Sequence, residues 1–431
     1  MNSKFLIAAA SSGSGKTTLT LGLLRSLSSR GWSVAPFKCG PDYIDPLWHK
    51  TASDSQSINL DLFMSSEQHV ATLFSRFSAN KDVSVVEGVM GMFDGFHKMQ
   101  GSSAHIAQII DAPVVLLVNA ASTAYSVAAT IHGFKSFCKD VKLAGVVFNR
   151  VASPSHFSFL KDACADAGVP CFGYIPRLPQ MEMPSRYLGL SIESQQSMNS
   201  FISMAAEAVE SYVDVDALLT ATQHSPAPVE INRATKSGRQ LIVAVARDDA
   251  FNFIYPANIL SLTENPRYNV AVEYFSPLND CAIPQCDILY LPGGYPELYV
   301  HELEANGSMR RSIKEFAENG GKVFAECGGM MYLTQAIDSR QLCGVLPLEA
   351  TMEGARLSLG YRKIEIDGNE WRGHEFHYSH LTNPAALPSC GTQYSASGKQ
   401  VSTPVYRYKN VIAGYTHLYW GDKDFFDLWQ I

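Results

Sequence analysis

Short apolar runs alternate with stretches of helical period over the first half of the chain. Lys4–Ala10 is apolar, and in the following segment, 17–30, Leu19, Leu23, Leu24 and Leu27 recur at helical spacing. Val83–Val86, Val114–Val118 and Ala144–Phe148 are further β-type runs, each bounded by polar residues, glycine or proline. Continuous apolar strands separated by helices predict a parallel sheet covered on both faces. A helix over 194–219 is expected to close this unit. Residues 222–240, rich in Ser, Pro, Ala and charge but without periodicity, read as a linker. The pattern then restarts. Strands are expected at 241–246, 270–275, 288–291, 322–325, 357–366 and 411–416, and helices at 258–265, 309–318 and 329–336. The chain is therefore read as α/β with two domains, 1–221 and 241–431.

Composition narrows the function classes. Of 431 residues 46% are hydrophobic and 17% charged, enough apolar surface for real cores and too much for a disordered protein. A net charge of −7 gives no global attraction to nucleic acid or to an anionic membrane. The apolar run Ala112–Val118 falls far short of the ~18 residues that span a bilayer. The opening residues imitate a signal peptide but run into a glycine loop, so they read as a first strand. Nine cysteines, an odd number with no CxxC pair, argue against a disulfide framework or zinc module and for a reducing cytoplasm.

Ala10-Ser-Ser-Gly13-Ser-Gly15-Lys16-Thr17 lies between the first strand and first helix, the order a phosphate-binding loop requires. Glycines let backbone N–H groups converge on phosphate oxygens, Lys16 reaches the outer phosphates, and the Thr17 hydroxyl serves Mg²⁺. Ala10 stands where the usual pattern has glycine. Glu87 leaves the C-terminal end of a buried strand, where a second acidic partner for the metal belongs, and Asp94 in the next loop is expected to face the same cavity. Phe37-Lys38-Cys-Gly-Pro-Asp42-Tyr43-Ile-Asp45-Pro46 is a stiff loop. It sets Lys38 against phosphate and Asp42 and Asp45 against metal, nucleotide or substrate. Asn149, at a strand end, is a candidate adenine reader, with a simple cap as the alternative.

In the second half, Lys322-Val-Phe-Ala-Glu-Cys327-Gly328-Gly329-Met330 reads as strand, sharp turn and helix with the cysteine at the turn. That geometry exposes a thiol at a helix start, with the Gly328 N–H available to an oxyanion. The second glycine turn, Leu291-Pro-Gly293-Gly294-Tyr-Pro-Glu297, offers the other donor at Gly294. His417, after the last strand, is the expected base. The other eight cysteines read as core. His374 and His377 fall on opposite faces of a strand, so a shared metal is not expected there.

A phosphate loop and a cysteine hydrolase site in one chain fit a reaction that activates a carboxylate with ATP and takes ammonia from glutamine. The segments Ser11–Thr17, Phe37–Pro46, Glu87-Gly88, Leu291–Glu297, Glu326–Met330 and Arg372–Ser379 together resemble the cobyrinic acid a,c-diamide synthase family over nearly the whole chain. The resemblance implies an N-terminal P-loop domain of the dethiobiotin-synthetase type and a C-terminal class I, flavodoxin-like glutamine amidotransferase domain. It implies ATP and Mg²⁺ as cofactors, and L-glutamine and a corrinoid tetrapyrrole as partners. Phosphorylation of the c and then the a acetate would be followed by amide formation, in cobalamin biosynthesis. Carried over by motif, Lys16, Thr17 and Glu87 serve ATP and metal, with Asp45 also counted toward the metal. Asp42, Tyr43, Asp45 and Asp94 serve carboxylate activation or substrate placement. Many wider relatives complete a triad with His-x-Glu; here Tyr419 takes that position, and Glu375 is a substitute candidate. Hydrogenobyrinic acid and nickel sirohydrochlorin stay open as alternative rings, and a homodimer stays open as the assembly. A partition-type ATPase is the rival class. It would place a second lysine where Ser11 stands and would lack the hydrolase domain.

Overall fold

The computed structural model describes residues 2–177, 192–225 and 240–431. The chain divides into two compact units, Met1–Leu62 with Ser66–Ile231 and Phe63–Ser65 with Asn232–Ile431. Much of the expected linker, 226–239, lies outside the described residues. Its first residue does not behave as linker: Thr222 is buried, and its hydroxyl meets that of Ser3 at 2.5 Å within the first unit.

The first unit is built on seven parallel strands, β1 (Ser3–Ala9), β2 (Val34–Cys39), β3 (Ile58–Leu60), β4 (Val83–Glu87), β5 (Val114–Asn119), β6 (Leu143–Val151) and β7 (Cys171–Pro176). Their order is β3-β2-β4-β1-β5-β6-β7. The runs read as continuous apolar strands are buried on both faces, as a parallel sheet demands. With β4 and β5 flanking β1, the crevice at the C-terminal ends of the central strands becomes the natural ligand position. Helix α1 (Lys16–Ser29) covers one face. Its Leu19, Leu23, Leu24 and Leu27 share a core with Phe201, Ile202 and Val209 of the helix Ile192–Tyr212. The single helix expected over 194–219 is broken. Val213 leaves the helix to bridge Gly173, the Asp214 N–H donates to the Phe172 carbonyl at 2.6 Å, and a new helix runs Val215–Ala221. Pairing with the end of the sheet outweighs helical propensity at this point.

The second unit carries a six-stranded sheet. Strands β8 (Gln240–Ala246), β9 (Asn269–Phe275), β10 (Ile288–Leu291) and β11 (Lys322–Glu326) are parallel, Val411–Gly414 runs parallel beside β11, and Val405–Tyr408 closes the edge antiparallel. A separate antiparallel sheet joins Ser358–Ile366, Asn369–His377, Gly391–Ser395 and His417–Tyr419. Only its first strand was among the expected elements. Asn369–His377 and Gly391–Ser395 mix polar and apolar positions because part of each is open, and His417–Tyr419, though buried, is only three residues long, so none shows the run pattern of a parallel core.

Candidate active sites

The loop after β1 turns at Gly15, whose φ of 100° is left-handed and whose side, were it to carry a Cβ, would lie 2.0 Å from Asn149 Nδ2. Asn149 donates to the Ser14 carbonyl at 2.7 Å and accepts from the Arg150 N–H at 2.8 Å. The side chain expected to read adenine thus spends its amide N–H bracing the phosphate loop and its oxygen capping its own strand end. Lys16 Nζ donates to the carbonyls of Met90 and Ser11, at 2.5 and 3.3 Å. Burial, and then the charge of Lys38, lower its pKa.

Glu87 is the hub of this site and is 1% exposed. One oxygen accepts from the Thr17 hydroxyl at 2.7 Å and from Lys38 Nζ at 2.9 Å; the other meets His49 Nε2 at 2.8 Å. His49 Nδ1 in turn meets the Ser57 hydroxyl at 3.0 Å. Burial presses toward the neutral acid, yet Lys38, His49 and Thr17 overcome it and hold the Glu87 carboxyl well below its usual range. Lys38 also reaches Asp45 at 2.8 Å and Asp42 at 4.0 Å. Burial opposes its charge, but Asp45, Glu87 and Asp42 together raise its pKa. Asp42 accepts the N–H groups of Ile44 and Asp45 and so starts helix α2 (Ile44–Ser53), which sets Asp45 against Lys38 and His49 against Glu87 from one face.

Lys16, Thr17, Lys38, Asp42, Asp45 and Glu87 line a cavity of about 840 Å³ that also includes Gly13 and the cationic side chains Arg150 and Arg177, with His49 buried behind it. Neither arginine nor His49 belongs to a readable motif; the i,i+4 spacing of Asp45 and His49 was the one available sign. Two expectations are corrected. Asp94 is exposed and accepts the Gly91 N–H of its own loop at 3.0 Å, and Tyr43 is buried just before α2; neither lines the cavity. The Thr17 hydroxyl with the Glu87 and Asp45 carboxylates is a hard-oxygen donor set of the kind that suits Mg²⁺ beside nucleotide phosphates.

In the second unit β11 delivers Cys327 at a strained turn, with φ 50° and ψ −112°, before the short helix Gly328–Leu333. Its N–H donates to the Gly414 carbonyl at 2.8 Å, tying the turn to the neighbouring strand. Gly294 lies beside it: a Cβ on Gly328 would stand 3.0 Å from the Gly294 nitrogen, so the two expected oxyanion donors share one corner. His417 is 1% exposed, and its ring is packed so closely that a Cβ on Gly293 would fall 2.2 Å from Cε1. Burial opposes its positive charge, but Cys327 and Glu326 prevail and raise its pKa to about 10. The His374 ring stacks on it at 5.0 Å, and burial followed by the His417 charge lowers the pKa of His374.

The substitute candidate for the carboxylate is engaged elsewhere. Glu375 is committed to Arg362 at 2.8 Å and also accepts from Ser358 and Thr416. The buried acid facing His417 is Glu326, with Oε1 3.8 Å from Nδ1. Tyr419 is buried edge-on against Tyr255. His374 meets the Tyr255 hydroxyl and His377 the Ser379 carbonyl, and among the described residues no group of three or more His, Cys, Asp and Glu is arranged to hold a metal. Cys281 is exposed rather than core.

Comparison with known proteins agrees with this division. Residues 5–190 match the family model of the CobQ/CobB/MinD/ParA nucleotide binding domain, and 242–425 that of the CobB/CobQ-like glutamine amidotransferase domain. A hydrogenobyrinate a,c-diamide synthase from Brucella abortus is 40% identical, covering 96% of this chain and 98% of its own. Cobyrinate a,c-diamide synthases from Syntrophotalea carbinolica and Methanocaldococcus jannaschii are 38% and 40% identical, over 97% and 88% of this chain and 96% and 87% of theirs. Among the described residues no helix is long and apolar enough to cross a membrane.

Proposed function

The chain belongs to the a,c-diamide synthase family of glutamine-dependent amidating ligases, and from that membership we propose how its own residues divide the reaction. The substrate is a corrinoid whose a and c acetates become amides in cobalamin biosynthesis. In the first unit a substrate carboxylate oxygen attacks the γ-phosphorus of ATP, ADP departs, and an acyl phosphate forms. Lys16 and Lys38 hold the phosphates, while Arg150 and Arg177 supply local positive charge that a polyanionic ring requires. Thr17, Glu87 and Asp45 would hold Mg²⁺, which supplies charge neutralisation on the nucleotide. Asn149 keeps the loop in its phosphate-facing shape, and Asp42 positions α2.

In the second unit the Cys327 thiolate attacks the glutamine side-chain carbonyl, and the N–H groups of Gly328 and Gly294 receive the oxyanion. His417 gives its proton to the departing ammonia, leaving a thioester that water converts to glutamate. Ammonia then displaces phosphate from the acyl phosphate to make the amide. The nine thiols, none in a disulfide, fit a reducing cytoplasm.

The observation that carries this reading is that one polypeptide holds both a Thr17–Glu87 pair behind Lys16 and a buried Cys327–His417 pair. Cys327→Ser should lose glutamine-supported amidation and keep the ammonia-supported rate. Lys16→Ala should lose both by about 10²-fold or more. Equal loss with both nitrogen sources in the Cys327 variant would overturn the assignment. Product masses from cobyrinate, hydrogenobyrinate and nickel sirohydrochlorin identify the ring that gains two amides.

A further inference from the structure

We propose that Glu326, the residue before the nucleophile, is the carboxylate that positions His417, taking the place of the acid that other amidotransferases carry two residues after the histidine. The inference rests on the reading of Cys327 and His417 as the glutaminase pair.

Glu326 is 1% exposed, and both of its oxygens are fixed. Oε1 accepts from the Tyr290 hydroxyl at 2.7 Å, and Oε2 accepts from the Leu418 N–H at 3.0 Å. Leu418 follows His417 in the chain, so the carboxylate is bound to the strand that carries the histidine. With Tyr290 fully buried on β10, Glu326 at the end of β11 and Leu418 on the strand His417–Tyr419, three elements converge on one side chain. From this position Oε1 lies 3.8 Å from His417 Nδ1, within ion-pair range. A free enzyme commonly holds such a contact long and tightens it when substrate binds. A carboxylate at Nδ1 fixes the ring orientation and leaves Nε2 to exchange the proton with the thiol. The competing acid, Glu375, already neutralises Arg362, and Tyr419 has no carboxylate to offer. Consecutive residues on a strand point to opposite faces, but the left-handed backbone at Cys327 breaks that alternation, so one β11 terminus can supply the nucleophile and the acid behind its base. The groups around His417 that titrate are Cys327, Glu326, His374 and His377, and Arg362 is the fixed charge nearby.

The test uses the intact chain with Glu326→Gln, Glu326→Asp and Cys327→Ser assayed side by side, with glutamine or ammonia as nitrogen source. Glu326→Gln should lower kcat for glutamine about 100-fold, with KM within about threefold and the ammonia-supported rate unchanged. The alkaline limb of glutamine hydrolysis should move down by about one pH unit or more, because the imidazolium loses its counter-charge. Glu326→Asp keeps the charge one methylene further away and should recover part of the rate with a smaller shift; it carries the same test if the Gln variant does not fold. A glutamine rate within about threefold of the parent, or an unmoved alkaline limb, overturns the proposal. Full glutamine-supported turnover in Cys327→Ser would instead overturn the parent reading, whatever Glu326 does.

Discussion

His417 shows how a single buried side chain makes a pH-dependent contribution. Its folded pKa, about 10, stands above the ordinary value of 6.5, so the folded chain holds this proton more tightly than the unfolded one. The stabilisation is complete below the ordinary value and is lost as pH rises through about 10. The melting temperature should therefore fall across that window, and His417→Gln should flatten the decline when both are followed by calorimetry; equal slopes would contradict it. At this scale the sequence was legible where chemistry and local geometry coincide. Lys16 and Thr17 sit in a loop whose glycines announce it, and Cys327 lies between a buried strand and two glycines. Glu326 and His49 were not legible. Each draws its meaning from partners distant in the chain, Leu418 for one and Glu87 for the other, and neither has a residue type or spacing that names such a partner.

Elements hold these residues in place through close backbone approach. The turn after β10 brings Gly293 against the His417 ring, leaving no room for a methyl group. Gly293→Ala should displace the imidazole and lower glutamine-supported turnover by about 10²-fold, leaving the ammonia-supported rate intact. Loss of both rates would show a wider collapse of the chain. The central parallel strands were readable because burial on both faces writes an unbroken apolar run, whereas the outer strands β3 and β7 were not among the expected elements. The antiparallel sheet around Asn369–His377 was only partly readable, since a half-open face interleaves polar residues. The break at Val213 was hidden for a different reason: the helical pattern continues through it, and contacts distant in the chain, the bridge to Gly173 and the bond to the Phe172 carbonyl, end the helix before Asp214 caps the next.

Across the whole molecule, each unit has its own buried core and its own reactive group, the one matched to phosphate transfer and the other to amide cleavage. The N-terminal cavity has a further property. The ammonium of Lys38 already stands among Glu87, Asp45 and Asp42, the acids a divalent ion would approach. These acids are thus furnished with their own counter-ion. A chelator should leave the melting curve of the nucleotide-free protein in place, whereas Lys38→Met strands two buried acids and should destabilise it by about 3–5 kcal/mol. A large chelator-induced drop would show that the lysine does not balance those acids. A divalent ion brought with nucleotide would meet a resident cation there, so fuel loading would redistribute positive charge rather than fill a gap.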